Sequence, residues 1–292
     1  MTRILIIGCG DIGERVARLE RTEGHTVAGL ARSEATAQRL RTAGIEPLAG
    51  DLDIPSSLGQ LPVKGALVYY FAPPPGKGTT DPRLEAFVSM MVPPGLPKRV
   101  VLISTTGVYG DCHGEWVTEQ RPAKPQAQRA VRRLSAETAL RRWSRASGVP
   151  IVILRVPGIY ARGRLPEERL RAREPVLREA ESPFSNRIHA DDLARVCLAA
   201  AHHDHPHDLY NVSDDHPTTM TDFFYRVADL LGMPRPPAVT MEEARRRLGE
   251  GMLSYLAESK RIDNRRMREE LGVELMYPDL AAGLPACLEQ PE

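Results

Sequence analysis

Lysine is nearly missing from this 292-residue chain: Lys64, Lys77, Lys98, Lys124 and Lys260 are the only five among 39 cationic side chains, and arginine supplies the rest. An excess of charge is missing too, since Lys+Arg 39 stands against Asp+Glu 38. A near-neutral chain has no electrostatic footprint for nucleic acid or an anionic membrane, so local clusters must be judged one by one. Aromatic residues make up 5% and do not interleave with the basic segments, which speaks against a stacking platform for single strands. Cys9, Cys112, Cys197 and Cys287 form no CxxC pair and no metal-ligand spacing; they predict reduced thiols, not a disulfide framework or zinc ribbon. No apolar run approaches the ~20 residues of a membrane helix, and no long apolar segment with a cleavage site follows Met1. The expectation is a cytoplasmic protein with no nucleic-acid or membrane partner.

What is present is an alternation. "ILIIG", "TVAGLA", "IEPLAG", "GALVYYFA", "RVVLIST" and "IVILRV" are strand-length apolar runs bounded by Gly, Pro or polar residues. Between them, "DIGERVARLE", "SEATAQRLRTAG" and "AVRRLSAETALRRWSRASG" carry helical spacing. Strands buried on both faces and separated by helices predict a Rossmann-type, doubly wound parallel α/β sheet. After Val156 the texture becomes mostly helical, with a brief "DLYNVS" strand and proline-rich connections. The expected organisation is a nucleotide-binding domain over residues 1–156 and a smaller C-terminal substrate lobe over 157–292, interleaved with the first. There is no internal repeat.

"ILIIGCGDIGERVA" puts Gly8-Cys9-Gly10-Asp11-Ile12-Gly13 between the first strand and the first helix. Gly8 permits a tight turn, Gly10 lets a pyrophosphate approach the backbone, and Gly13 lets helix and strand pack closely. The second strand ends in "GLARSEATA". An acidic residue there would bond ribose hydroxyls in an NAD site; Arg32 with Ser33 instead suits the 2′-phosphate of NADP, and a solvated arginine at a helix entry is the alternative. Asp51 and Leu52 follow the third strand, where a carboxylate can accept from the adenine amino group; the alternative is a short helix capped by Asp53 or a neighbour. Phe71, Ala72 and Pro73, after the fourth run, complete the expected cofactor contacts. NADP is the expected cofactor, with NAD possible.

At "VLISTTGVYGD" the chain begins to resemble the extended branch of the short-chain dehydrogenase/reductase superfamily, the NAD(P)-dependent epimerase/dehydratase type. The resemblance covers residues 4 to about 200, and the tail is similar to that branch's substrate lobe. It rests on Ser104, Thr105, Val108, Tyr109 and Gly110, on Leu154, Arg155, Tyr160 and, imperfectly, Ala161, and on "NRIHADDLARVCLAA". It implies Thr105 as a hydroxyl bonding the reacting oxygen, and Pro157 beside the nicotinamide. It also implies Asn186 and Arg187 as contacts for a substrate phosphate, surface pairing being the alternative for Arg187. A homodimer is implied only by this resemblance.

The family carries a Tyr and a Lys four residues apart on the helix after its fifth strand, often followed by a Glu. Placing Glu137 on that Glu puts Arg133 where the Lys belongs and Arg129 where the Tyr belongs. No tyrosine in the chain is followed four residues later by a lysine. The chain therefore resembles the atypical members that lack the usual pair. An arginine has no accessible neutral form, so Arg129 cannot be a general acid or base, whereas Arg133 can still donate to ribose hydroxyls. The cluster Arg129, Arg132 and Arg133 stays open between a solvated face, contacts to cofactor or an anionic substrate, and a partner surface.

Tyr109 or Tyr160, turned inward, could replace the phenol; a packing role is the alternative for a Tyr in Val-Tyr-Gly. His113, Glu115 and Trp116 are further candidates on a loop. His202, His203, His205 and His207 fit no standard metal spacing, and no metal is expected. The sequence reading is thus an NAD(P)-binding oxidoreductase or epimerase/dehydratase-like enzyme acting on a nucleotide-sugar or similar polyol. Thr105 and Tyr109 are the catalytic candidates, with a non-standard acid/base. The alternative is a catalytically silent NADP(H)-binding redox sensor or scaffold.

Overall fold

The computed structural model describes residues 1–288. Its centre is a seven-stranded sheet made of β1 (Arg3–Ile7), β2 (Thr26–Ala31), β3 (Glu46–Ala49), β4 (Leu67–Tyr70), β5 (Arg99–Thr105), β6 (Ile151–Val156) and β7 (Leu209–Asn211). The strand order is β7-β6-β5-β4-β1-β2-β3, and every pairing is parallel. This is the doubly wound α/β sheet read from the alternation of apolar runs. The chain winds outward in opposite directions from β1 and β4, so these two strands flank the topological switch point where open α/β sheets bind ligands.

The two-residue period of a strand divides β1 between two cores. Ile4 and Ile6 join one apolar cluster with α1 (Asp11–Thr22), α2 (Glu34–Thr42), α6 (Ala190–His202) and α10 (Arg265–Leu271). Leu5 and Ile7 join the other, with α3 (Pro82–Met90) and α4 (Gln128–Ser147). Helices thus cover both faces of the sheet. From the segment after residue 157, α6 and β7 belong to this central body. The remainder forms smaller cores of its own, built on α5 (Glu167–Arg171), α7 (Met220–Leu230), α8 (Met241–Arg247), α9 (Glu250–Leu256) and α11 (Leu280–Ala286). All four cysteines are free and buried. Among the described residues no helix is long and apolar enough to cross a membrane.

Candidate active site

The glycine loop is shaped by a crossing of two chain segments. The amides of Phe71 and Ala72 both donate to the Ile7 carbonyl, at 2.7 and 3.0 Å, which draws the end of β4 across Gly8. Gly8 sits at φ +89°, and a Cβ there would lie 2.7 Å from the Ala72 Cα. Gly13 faces Cys9 and Ile6, whose side chains would lie 3.2 Å from an added Cβ, so helix and strand meet closely. Gly10 has open space around it and gives α1 no side-chain cap. Helix geometry leaves the amides of Asp11, Ile12 and Gly13 without intrahelical carbonyls. Uncapped amides at the positive end of a helix suit a diphosphate. The residues present therefore fit a dinucleotide. Asp11 itself is paired with Arg15 and Arg164, and these contacts overcome the upward push of burial to hold its carboxyl below the usual range.

Around the adenosine end the expected residues divide. Arg32 is exposed beyond β2, and Ser33 caps α2 by accepting from the Thr36 amide at 3.3 Å. Asp51 accepts from the Asp53 amide at 2.9 Å in a local turn, and Asp53 binds Arg83 with two contacts of 2.7 and 2.6 Å. Neither caps the short 3-10 turn Pro55–Leu58, which has no side-chain cap. Leu52 and Phe71 pack as half-buried apolar residues against the two faces of the sheet.

A cleft of about 670 Å³ opens at the carboxyl ends of the strands, with Pro73, Thr105 and Pro157 in its wall. Its other wall comes from the C-terminal part of the chain, including Phe184, Phe223, Tyr255, Glu258 and Lys260. Arg129, Arg132, Arg133, Arg164, Arg169 and Arg187 also line it, whereas Glu258 is the only carboxylate residue that does among the described residues. The arginine helix is therefore the floor of a cleft, not a solvated face. Arg133 is half-buried, and its Nη1 donates to the carbonyls of Ala72 and Ile103, 3.2 Å each, tying the ends of β4 and β5 together; desolvation lowers its pKa. Arg132 donates to the Gly78 carbonyl at 3.1 Å, and its Nε is buried without a partner. Arg129 crosses the cleft, donating to Ser254 Oγ at 2.5 Å and stacking 3.6 Å from the centre of the Tyr255 ring.

Thr105 lies in the cleft wall with Oγ1 accepting from the Gly107 amide at 3.1 Å. Tyr109 does not reach the cleft: it is 2% exposed, and its hydroxyl donates to Asn211 Oδ1 at 2.7 Å beneath the Arg155 guanidinium. Tyr160 does not reach it either, being buried against α11 with its hydroxyl donating to the Asp279 carbonyl. A phenol so placed is a packing residue, and burial raises the pKa of both. His113 is exposed and pairs with Asp111, Glu115 pairs with Arg121, and Trp116 lies beneath Arg261, all outside the cleft.

Asn186 lines the cleft but commits its amide to the backbone, donating to the Lys260 carbonyl at 3.0 Å and accepting from the Ile262 amide at 2.8 Å. Arg187 faces the cleft instead of pairing on the surface. It stacks 4.2 Å from the Phe223 ring centre, and burial lowers its pKa to about 10. The histidine cluster disperses: His203 accepts from the His205 amide, His207 faces Glu270, and His202 joins His25 and Tyr69 around the buried Glu20. Sequence reasoning missed Ser254, Tyr255, Glu258 and Lys260, which approach the site from over a hundred residues downstream. The one available signal was Lys260 itself, a rare residue type in this chain.

The comparisons agree with this geometry. Residues 8–204 match the model of the NAD(P)H-binding family. The chain belongs to that family. A conserved protein of unknown function from Silicibacter pomeroyi is 30% identical, with 98% of each chain covered and a TM-score of 0.81. A candidate NAD-dependent epimerase/dehydratase from Methylobacillus flagellatus is 28% identical, covering 98% of this chain and 97% of its own, with a TM-score of 0.74. MoeE5, solved in complex with UDP-glucose and NAD, shares the fold at 21% identity and a TM-score of 0.75, covering 97% of this chain and 96% of its own. No curated protein matches the sequence. The Methylobacillus flagellatus protein is named as the epimerase/dehydratase type that the motifs around Thr105, Arg155 and His189 resemble.

Proposed function

We propose that the chain binds NADP at the glycine loop and acts as an oxidoreductase or epimerase/dehydratase-type enzyme on a nucleotide-sugar or similar polyol. The carrying observation is one continuous arrangement. An uncapped helix start lies at the switch point, Arg164 links the loop's Asp11 to the cleft, and six arginines make that cleft basic. A wall of that charge favours an anionic ligand, and the diphosphate of a nucleotide-sugar has that chemistry. Such a dinucleotide, when bound, supplies or takes up a hydride. The chain's own residues would orient the partner: Thr105 at the reacting oxygen, Arg133 and Pro157 beside the ribose and nicotinamide, and Arg187 toward a phosphate. Arg32, in place of an acidic residue, supports NADP over NAD.

The competing reading is a silent NADP(H) sensor. It draws on Arg133, which stands at the lysine position with its guanidinium committed to two carbonyls. An open, substrate-sized cleft beside Thr105, lined by six arginines, favours the enzyme. Thermal stabilisation by NADP, NADPH, NAD and NADH, measured side by side, tests the cofactor. Arg32→Ala should lose about 1.5–3 kcal/mol of NADP binding if the arginine holds the 2′-phosphate. Absence of stabilisation by all four dinucleotides would sink the reading. Stabilisation without turnover across a nucleotide-sugar panel that includes UDP-glucose would leave the sensor in its place.

A further inference from the structure

The cleft of the proposed function lacks a proton-transferring group where the family keeps its tyrosine, and the replacement residue, Arg129, points to where one sits. Its guanidinium contacts Ser254 and Tyr255 at the end of α9, four and three residues before Glu258. Glu258 and Lys260 both line the cleft, with side chains only 8% and 7% exposed, and Lys260 Nζ lies 2.7 Å from Glu258 Oε2. The other carboxylate oxygen, Oε1, is buried and has no partner. A buried carboxylate oxygen left unpaired is costly unless a ligand completes it.

The segment is also rigidly held. Ser259 receives hydrogen bonds at its carbonyl from Cys112 and Gly114, and its own amide donates to Asp111 Oδ1 at 2.8 Å. Its Oγ accepts from the Phe184 amide at 3.1 Å, and Asn186 clamps the Lys260 carbonyl. A group fixed in this way needs no reorganisation before it acts.

Resting on the proposed function, we infer that Glu258, held by Lys260, is the acid/base group that transfers the substrate hydroxyl proton in this cleft. In the oxidising direction the substrate O–H bond breaks and its proton forms a new O–H bond at Glu258 Oε1. The electron pair left on oxygen becomes the second bond of the carbonyl. The hydride from the same carbon is the share of the nicotinamide dinucleotide, so charge and electrons balance. The Lys260 ammonium compensates the carboxylate and is a positioning residue.

The test compares wild type with Glu258→Gln, Glu258→Asp, Glu258→Leu, Lys260→Met and Tyr255→Phe. In the nucleotide-sugar panel, Glu258→Gln should lower kcat by about 10²–10⁴ with the NADP-induced Tm shift unchanged, and Glu258→Asp should recover part of it. The acid limb of the wild-type kcat/KM profile should vanish in Glu258→Gln and move in Lys260→Met. Calorimetry with UDP-glucose on the NADPH-saturated protein reads the contact without turnover, and Glu258→Leu should raise Kd about tenfold or more. Wild-type turnover in Glu258→Gln, or loss confined to Tyr255→Phe, overturns this assignment and leaves the proposed function standing. A wild type that binds NADP but neither turns over nor binds any of the panel overturns both.

Discussion

Arg155 on β6 grips Glu137 on α4 with two prongs, Nε to Oε1 at 3.1 Å and Nη2 to Oε2 at 2.7 Å, with both side chains at most 5% exposed. Ser104 and Arg141 add further donors to the same carboxylate at 2.6 and 3.1 Å. The glutamate thereby pins the cleft-floor helix to β5 and β6, the strands that carry Thr105 and Pro157 to the site. Removing one member leaves an uncompensated buried charge, so Glu137→Leu should cost about 3–5 kcal/mol of unfolding free energy, read from urea denaturation. A loss under 1 kcal/mol would show that the pair does not hold the helix.

Gly8 and Gly10 should separate folding from binding. Gly8→Ala forces a Cβ into the Ala72 backbone at a positive φ, so the midpoint of thermal unfolding should fall. Gly10→Ala meets no atom within 4 Å, and its stability should stay within about ±0.5 kcal/mol of wild type. Under the proposed function the second variant still loses NADP-induced stabilisation, because the methyl group occupies the path of the pyrophosphate. Equal stabilisation of Gly10→Ala and wild type by NADP would contradict that placement.

Glu20 should make stability sensitive to acid. Burial pushes its carboxyl upward, but donors from His202, Tyr69 and His25 outweigh that push and hold it below the ordinary 4.5. A depressed folded-state pKa means the unfolded chain binds the proton more readily. The contribution is therefore complete above about pH 4.5, the unfolded value, and disappears as pH falls through the folded one. The difference in Tm between wild type and Glu20→Gln should be constant near neutrality and shrink below that pH. A difference that grows on acidification would reverse the sign.

Gly283 on α11 leaves room for the Tyr160 ring, whose Cζ would lie 2.8 Å from an added Cβ. Gly283→Ala should destabilise by about 1–3 kcal/mol through overpacking. Tyr160→Phe removes the crowded hydroxyl, so the double variant should recover part of the loss in a double-mutant cycle. Strict additivity of the two changes would mean that the ring and the helix do not meet as described.

The sheet was legible because its strands are short apolar runs bounded by Gly and Pro, and because Gly8, Gly10 and Gly13 occur at the one junction that needs them. The turn between β1 and α1 was readable for the same local reason. The cleft was not, since its chemistry is assembled by distant contacts. Arg129 meets Ser254 across 125 residues, and no spacing announces that. Nor does a phenol's position in Val-Tyr-Gly reveal its direction. Tyr109 looks catalytic in sequence, yet the acceptor at Asn211 on β7 draws it inward. The four histidines before β7 looked like one cluster, yet His202 turns to Glu20 and His207 to Glu270, while His203 accepts from the His205 amide.

The deep placement of the thiols gives the molecule an internal clock. Cys9 and Cys287 are pushed up to about 11, while Cys112 and Cys197 are also raised, in each case chiefly by desolvation. Alkylating reagents attack thiolates, so each sulfur stays silent until its own neighbourhood opens. Cys9 belongs to the glycine loop, Cys112 to the loop behind Glu258, Cys197 to the sheet's helix layer and Cys287 to the C-terminal helix. Mass-resolved labelling rates would thus rank four parts of the same chain by how often they breathe, with no engineered probe.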